Sequence, residues 1–431
     1  MSSISDPTLL SRLTEEGDSV VARVDGWASA TPSKPFFYCG ERRAWMSYGD
    51  FGALTDRSAG NLAAKGVQPG DHVAVLARDQ WLTTLAMFAI WKAGAVYCPL
   101  NFNYTNSLLG FQIKDVAPAL LIVEPTMEAQ VNEAMQHTSE SRSMQPSIAE
   151  SRECFSLVVG LEEMFAPAVR PSVATGYAQV AAIVYTSGTT GMPKGARLTY
   201  RWINQMTFYL RKLITQDDIV YNDLPLYHVG GAFCNIARAA WVGAGVACWG
   251  RFSAADFWDR IDESGASCAI LLDVMIPWLM SAPQSSRDRL NTLNKVNLQP
   301  LPLNHNEVAR RFGFDLVATG FGQTESGNSL VAYILETDEE TETPPDIRKG
   351  LDRTALRRVL EDNGATVVLP EEAARKGYMG RPTVFVEAGV VDEEGNLLQP
   401  GGVGELVLRP RLPGFFFSGY HHRDAATLEA N

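Results

Sequence analysis

The feature that most constrains this chain is a repeated alternation of short β-branched runs with amphipathic stretches. "HVAVLAR" (72–78) is followed by "WLTTLAMFAIWKAG", whose apolar residues recur at helical spacing, and then by a second compact run, "ALLIVE" (119–124). The same order returns in "AAIVYTS", "MTFYLRKLI", "IVYNDLPL" and "CAILLDVM". Parallel strands need long crossovers, and helices supply them, so this order predicts an α/β fold with mainly parallel sheets. The tail reads differently. "VFVEAGVVDEEGNLLQPGGVGELVLRP" (384–410) predicts two short strands around Asp392 to Asn396, a Pro-Gly-Gly break and a third strand, a small antiparallel or barrel-like unit.

With 431 residues, 46% of them hydrophobic, the chain has material for a large multi-lobed core. The formal charge of −12 comes without a basic stripe that could neutralise successive phosphates, so a nucleic-acid partner is not expected. Six cysteines (Cys39, Cys98, Cys154, Cys234, Cys248, Cys268) stand singly, with no ligand spacing, which argues against a disulfide framework or a zinc site and makes a reducing cytoplasm the expected location. The opening "MSSISDPTLLSRLTEEGD" lacks the cationic-then-apolar order of an export signal, and the oiliest stretch, "LAMFAIWKAGAVYCPL", is interrupted by Lys92; no membrane span is expected. "LETDEETETPPD" (335–346) reads as an exposed acidic loop, and "DIRKGLDRTALRRVLEDNG" as a solvated amphipathic helix with a basic face.

The densest chemistry lies at "YTSGTTGMPKGA" (185–196). Behind a buried strand, Thr186, Ser187, Gly188, Thr189, Thr190 and Gly191 offer hydroxyls, backbone N–H groups and glycines that permit close approach, and Lys194 adds a positive charge. Such a loop can wrap a phosphate. It is not the Walker loop, because its glycines stand too close together and Lys194 is followed by Gly195, and Pro193 disfavours an immediate helix.

These residues resemble the phosphate loop of the adenylate-forming (AMP-binding) enzymes, a superfamily that includes acyl- and aryl-CoA synthetases, peptide synthetase adenylation domains and firefly luciferases. Further stretches match in the family's order: "WKAGAVYCPLN" (91–101), "LPLYHVGG" (224–231), "RFSAADFW" (251–258), "FGQTE" (321–325) and "GGVGELVLRP" (401–410). The resemblance runs from about residue 20 to the end of the sequence. It implies a large N-terminal adenylation domain, with α/β subdomains over about 1–180 and 181–378 and a β-barrel subdomain over about 379–431. The implied chemistry is attack of a carboxylate on the α-phosphate of ATP, giving an acyl-adenylate and pyrophosphate, then a thioester with CoA. By the same resemblance the loop residues and Lys194 cradle the phosphates. Gly320, Phe321, Gly322 and Thr324 hold the nucleotide, Phe321 on adenine and Thr324 on the α-phosphate. Glu325 holds Mg²⁺. His228 is the gate between nucleotide and acid, and Gly230 and Gly231 leave room for the acyl group. Catalytic roles fall to His228, Thr324 and Lys194.

Four departures and an ending qualify what the resemblance implies. Peptide synthetases place an aspartate just beyond the gate histidine to hold an α-ammonium, whereas this chain has Val229, Gly230, Gly231 and Ala232, which points to acids lacking an α-amino group. The family's Gly- and Ala-rich turn before its Thr-Glu motif is replaced by "KVNLQPLPLNH" (295–305), stiffened by Pro300 and Pro302. Tyr200 follows Thr199 where a histidine is usual, and the stretch between Glu325 and Gly380 is long. The sequence finishes "FFFSGYHHRDAATLEAN", before the ribose-binding aspartate and the mobile C-terminal domain with its lysine, so a truncated chain with impaired catalysis is expected. The alternatives are a non-catalytic nucleotide- or acyl-binding protein, a ligase that loads a carrier protein instead of CoA, and a phosphotransferase releasing ADP. Exposed apolar edges add a homodimer as an expectation.

Overall fold

The computed structural model describes residues 7–17, 19–140, 156–159, 162–186 and 191–430. Eighteen strands are found among them. In chain order they are β1 (Pro35–Cys39), β2 (Ala44–Ser47), β3 (His72–Leu76), β4 (Val96–Pro99), β5 (Leu120–Val123), β6 (Ser156–Val159), β7 (Val180–Thr186), β8 (Lys194–Thr199) and β9 (Ile219–Asn222). There follow β10 (Gly245–Cys248), β11 (Cys268–Leu272), β12 (Lys295–Gln299), β13 (Leu316–Gln323), β14 (Gly327–Leu335), β15 (Val367–Val368), β16 (Arg381–Pro382), β17 (Val386–Val391) and β18 (Glu405–Pro410).

Two layered sheets carry the body. The larger has the order β15-β14-β13-β12-β11-β9-β10-β1-β2 with β16 beside β14, and the smaller the order β6-β5-β3-β4-β7-β8. Pairing is parallel through the middle of both, and antiparallel at the β1/β2, β13/β14, β14/β16 and β7/β8 pairs. The alternation in the sequence therefore predicts the fold class correctly, and for the stated reason: helices return the chain between parallel neighbours. Helix Gln80–Lys92 starts where the Asp79 carboxylate accepts from the Trp81 and Leu82 N–H groups, and its side chains are buried almost throughout. Trp91 at its end stacks with Phe233, and Trp202 of helix Tyr200–Lys212 meets the same ring edge-on, so one aromatic cluster joins three segments in the core.

Lys92, the charge that interrupts the oiliest stretch, is fully buried and paired. Its ammonium lies 3.0 Å from Asp25 and 2.7 Å from Asp56, and Arg170 bonds to both carboxylates. Pairing of this kind is what makes a buried ammonium tolerable. No helix among the described residues is long and apolar enough to cross a membrane, and the five described cysteines are buried and free; Cys154 lies outside the described residues.

The tail corrects one expectation. β17 and β18 pair antiparallel as a two-stranded sheet, the segment between them contributes a single bridge at Leu397 to Val391, and no closed barrel forms among the described residues. The turn itself is as expected, with the Asp392 N–H donating to the Asn396 carbonyl and the Asp392 carboxylate accepting from the Asn396 N–H. The strand predicted after the Pro-Gly-Gly break is β18; the one predicted between the turn and the break is reduced to the bridge at Leu397, because Pro400 follows so soon after the turn. The predicted amphipathic helix is present as Arg353–Asp362, burying Leu356 and Leu360.

Candidate active site

Two hairpins, one from each sheet, present the residues singled out by the sequence. In the smaller sheet β7 and β8 pair with Thr186 opposite Lys194, so the glycine- and threonine-rich segment is the loop of a hairpin. Pro193 thus precedes a strand, as its effect on helices requires. The Thr186 hydroxyl donates to the Lys194 carbonyl across the hairpin, 3.4 Å. Gly191 has φ of +129°, a conformation that glycine adopts without strain. Ser187, Gly188, Thr189 and Thr190 lie outside the described residues.

In the larger sheet β13 and β14 form the second hairpin, with Gln323 opposite Gly327 and Thr324, Glu325 and Ser326 as its three-residue turn. Gly327 closes the turn at φ +63°. A three-residue hairpin needs a left-handed residue at this point, which glycine supplies. The carboxylate of Glu325 therefore sits on a hairpin turn and not at a helix start. Thr324 is buried, Phe321 is half-buried, and Gly322 is exposed. Gly320 and Gly322 pass close to the partner strand: a Cβ at Gly320 would stand 2.3 Å from the Leu330 carbonyl oxygen, and one at Gly322 would stand 2.6 Å from that of Gly327.

The segment that follows β18 ties the hairpins together. The Ser418 N–H donates to the Arg197 carbonyl and the His421 N–H to that of Gly195, while the Phe417 N–H donates to the carbonyl of Glu325. Tyr420 stands between the two functional groups: its hydroxyl donates to Glu325 Oε1, 2.6 Å, and the Lys194 ammonium lies 5.1 Å from the centre of its ring. Lys194 and Glu325 are thereby brought to one tyrosine, the first over its ring and the second at its hydroxyl. Sequence reasoning missed Tyr420; its place in the "FFFSGYHH" stretch marked the family resemblance but gave no sign of a contact with either group.

His228 follows the carboxyl end of the central strand β9, where open α/β sheets place their ligand clefts. Its Nδ1 accepts from the Gly230 N–H, 3.1 Å, which leaves Nε2 to carry the proton of the neutral ring. The ring is exposed yet closely walled by protein, as in a cleft, and desolvation holds its pKa below the ordinary value. A neutral imidazole can donate through Nε2 without bringing a charge of its own. Of the two glycines, only Gly230 is partly open. Gly231 is buried, and a Cβ there would stand 2.7 Å from the Pro225 carbonyl oxygen and 2.8 Å from that of Leu224, so close backbone approach already requires glycine at that position.

The donor set fits a nucleotide with magnesium. Lys194 makes no ion pair with a described residue, and Glu325 keeps Oε2 free of hydrogen bonds to described residues. No group of three His, Cys, Asp or Glu residues that could hold a metal occurs among the described residues. A single carboxylate suits Mg²⁺ only where phosphate and water oxygens complete its shell.

The comparisons with known proteins place the chain in a family. A family model described as AMP-binding enzyme matches residues 24–421, and the chain belongs to that family. It is similar to a medium/long-chain-fatty-acid–CoA ligase of Mycobacterium tuberculosis, 28% identical over 406 residues, covering 86% of this chain and 65% of that protein. An indoleacetate–CoA ligase of Aromatoleum aromaticum is 27% identical over 394 residues, covering 90% of this chain and 69% of that protein. Among solved structures, the N-terminal domain of FACL13 from Mycobacterium tuberculosis superposes with a TM-score of 0.73 at 20% identity, covering 96% of this chain and 94% of that one. That likeness establishes the fold. The chain spans about two thirds of the length of the ligases it matches.

Proposed function

We propose that this protein activates a carboxylic acid lacking an α-amino group with Mg·ATP, forming an acyl-adenylate and pyrophosphate, and that the acyl group then passes to the thiol of CoA. The observation that carries the reading is the convergence of Lys194 and Glu325 on Tyr420. A cation suited to phosphate oxygens and a carboxylate that would hold Mg²⁺ stand together, and simple acyl binding needs neither.

In this reading Thr186, Ser187, Gly188, Thr189, Thr190, Gly191 and Lys194 hold the β- and γ-phosphates. Phe321 packs on the adenine between the close-packed backbones of Gly320 and Gly322. Thr324 donates to the α-phosphate, whose charge grows as pyrophosphate departs. Glu325 holds Mg²⁺, which when bound neutralises charge on the phosphates. His228, neutral and protonated on Nε2, orients the attacking carboxylate, with Gly230 beside it. The segment 229–232 presents no carboxylate to an α-ammonium, so amino acids are disfavoured. Both curated relatives described above are CoA ligases, and this supports CoA over a carrier protein as acceptor.

The test is mass-spectrometric detection of acyl-adenylate after incubating the chain with Mg·ATP and a panel of fatty, aryl and amino acids. The reading predicts an adenylate from at least one acid without an α-amino group and none from the amino acids. ATP binding with no adenylate from any acid would favour binding without catalysis.

A further inference from the structure

The motif at 91–101 carries the family resemblance yet supplies none of the site residues, and it packs against the segment that bears His228. That segment, "LPLYHVGG", leaves the end of β9 and enters a π-helix, Gly230–Ala237. Groups from the smaller sheet meet it in turn. The Tyr97 hydroxyl, from β4, donates to the Leu226 carbonyl, 3.2 Å. The Gln80 amide, at the start of helix Gln80–Lys92, donates to the Leu224 carbonyl, 3.1 Å. Phe102 meets the Tyr227 ring edge-on at 5.0 Å, and the Asn103 amide donates to the Tyr227 hydroxyl, 3.2 Å.

These contacts differ in what they can fix. Asn103 is exposed, and water can replace its bond. Tyr97 and Gln80 are buried, and so are the carbonyls they hold. A buried carbonyl that loses its donor is left desolvated and unsatisfied, so it stays where the donor is. Burial pushes the Tyr97 pKa up, which keeps the phenol protonated and a donor throughout the working range of pH. Gln80 is itself anchored: Oε1 accepts from the Asn222 amide, 2.6 Å, and the Gln80 amide also donates to the Trp249 carbonyl, 2.8 Å. The His228 N–H closes the turn on the Pro225 carbonyl, 3.2 Å. The carbonyls of 224, 225 and 226 are thus all engaged, and His228 follows where they are held. Tyr97 has a second tie. On β4 it pairs with Ala182 of β7, the strand that runs on into the candidate phosphate loop.

We propose that Tyr97 and Gln80 are positioning residues for the activation step: from the smaller sheet they hold the Leu226 and Leu224 carbonyls, and so set where His228 stands relative to the phosphate loop. The inference rests on the acid-activating reading given above. Attack on a phosphate needs the acid and the nucleotide at a fixed separation, and a small displacement of the group that orients one of them slows the step. Neither residue is placed to touch the reacting groups; their effect runs through His228.

The test uses Tyr97→Phe, which keeps the ring and removes only the hydroxyl, beside a matched control, Tyr48→Phe. Tyr48 is also buried, and its hydroxyl donates to the Ala244 carbonyl, 2.8 Å, outside the His228 segment. In adenylate formation, Tyr97→Phe is expected to lower kcat about ten-fold with KM for ATP held within about two-fold, and Tyr48→Phe to leave kcat unchanged. Gln80→Met is expected to follow Tyr97→Phe. In a His228→Ala background, Tyr97→Phe is expected to cause little further loss, because residues that act as a unit are not additive. Independently of activity, the His228 imidazole signals in NMR spectra, assigned by their loss in His228→Ala, are expected to shift in Tyr97→Phe and hold in Tyr48→Phe. Additive losses in the His228→Ala background, an equal fall of kcat in Tyr48→Phe, or His228 signals unmoved by Tyr97→Phe would each overturn the inference. No adenylate from wild type with any acid counts against the activation reading instead, and the NMR comparison still decides whether Tyr97 sets the position of His228.

Discussion

Replacing Gly327 by alanine strikes the hinge of the Thr-Glu turn. A Cβ at this position would lie 1.8 Å from Gln205 Nε2 and 2.6 Å from its Cδ, and the backbone there has φ of +63°. Two costs add. A non-glycine residue in the left-handed region costs about 1–2 kcal/mol. Forcing the buried Gln205 amide aside costs about 1–3 kcal/mol more, as overpacking does elsewhere. Gln205 is 3% exposed and neither amide atom has a hydrogen-bond partner among the described residues, so its position is set by packing against this glycine. The total, roughly 2–5 kcal/mol, is local to the β13/β14 hairpin. Amide hydrogen exchange of residues 316–335 reads it directly, as faster exchange concentrated in that hairpin. The double variant Gly327→Ala, Gln205→Ala is expected to recover the clash portion and keep the backbone portion, a coupling of about 1–3 kcal/mol in a double-mutant cycle. Additive effects, or wild-type exchange in Gly327→Ala, would refute the reasoning.

Other perturbations have defined outcomes. Tyr420→Phe removes the hydrogen bond to Glu325 Oε1 and keeps the ring beneath Lys194; the magnesium titration of nucleotide binding is expected to shift while magnesium-free binding holds, and an unchanged titration would show that Glu325 is not the metal ligand. Lys194→Ala is expected to weaken ATP binding about ten-fold or more, the scale of one charge-assisted contact, read by calorimetry. Asp223 is 5% exposed, and burial raises its pKa to about 6 from 3.8. Because the folded state holds the proton more tightly, stability is lost as pH rises from about 4 through about 6. Asp223→Asn should abolish that slope and be more stable at pH 8 by roughly 3 kcal/mol, at about 1.36 kcal/mol per pKa unit, measured by denaturation across pH. His421 moves oppositely: burial, with His422 and His72 beside it, lowers its pKa to about 4, so its contribution is lost as pH falls from about 6.5 towards 4. Replacing it by glutamine should flatten that acid limb.

Much of the architecture was legible because it is written in local periodicity. "HVAVLAR", "ALLIVE" and "AAIVYTS" are strands β3, β5 and β7, and the apolar run between the first two is the buried helix Gln80–Lys92. Pairing partners were not legible. β1 sits beside β10 in the larger sheet, with β2 on its other side, across more than two hundred residues, and nothing local in "PFFYC" announces it. The tail was over-read, because three turn-separated apolar runs suggest a barrel while closure depends on a register that only tertiary contacts set. At the site, motif residues were recognisable singly, and their meeting was not: Tyr420 joins Lys194 to Glu325 from more than two hundred residues away from the lysine. Gln205 gave no signal, since a buried polar side chain without a partner is visible only once its surroundings are known.

The central claim concerns which phosphorus of ATP is attacked. Phosphorus NMR of a reaction containing this chain, Mg·ATP and an activating acid identifies the products directly. The account predicts AMP and pyrophosphate, formed only when the acid is present. ADP and inorganic phosphate, or ATP cleavage indifferent to the acid, would contradict it.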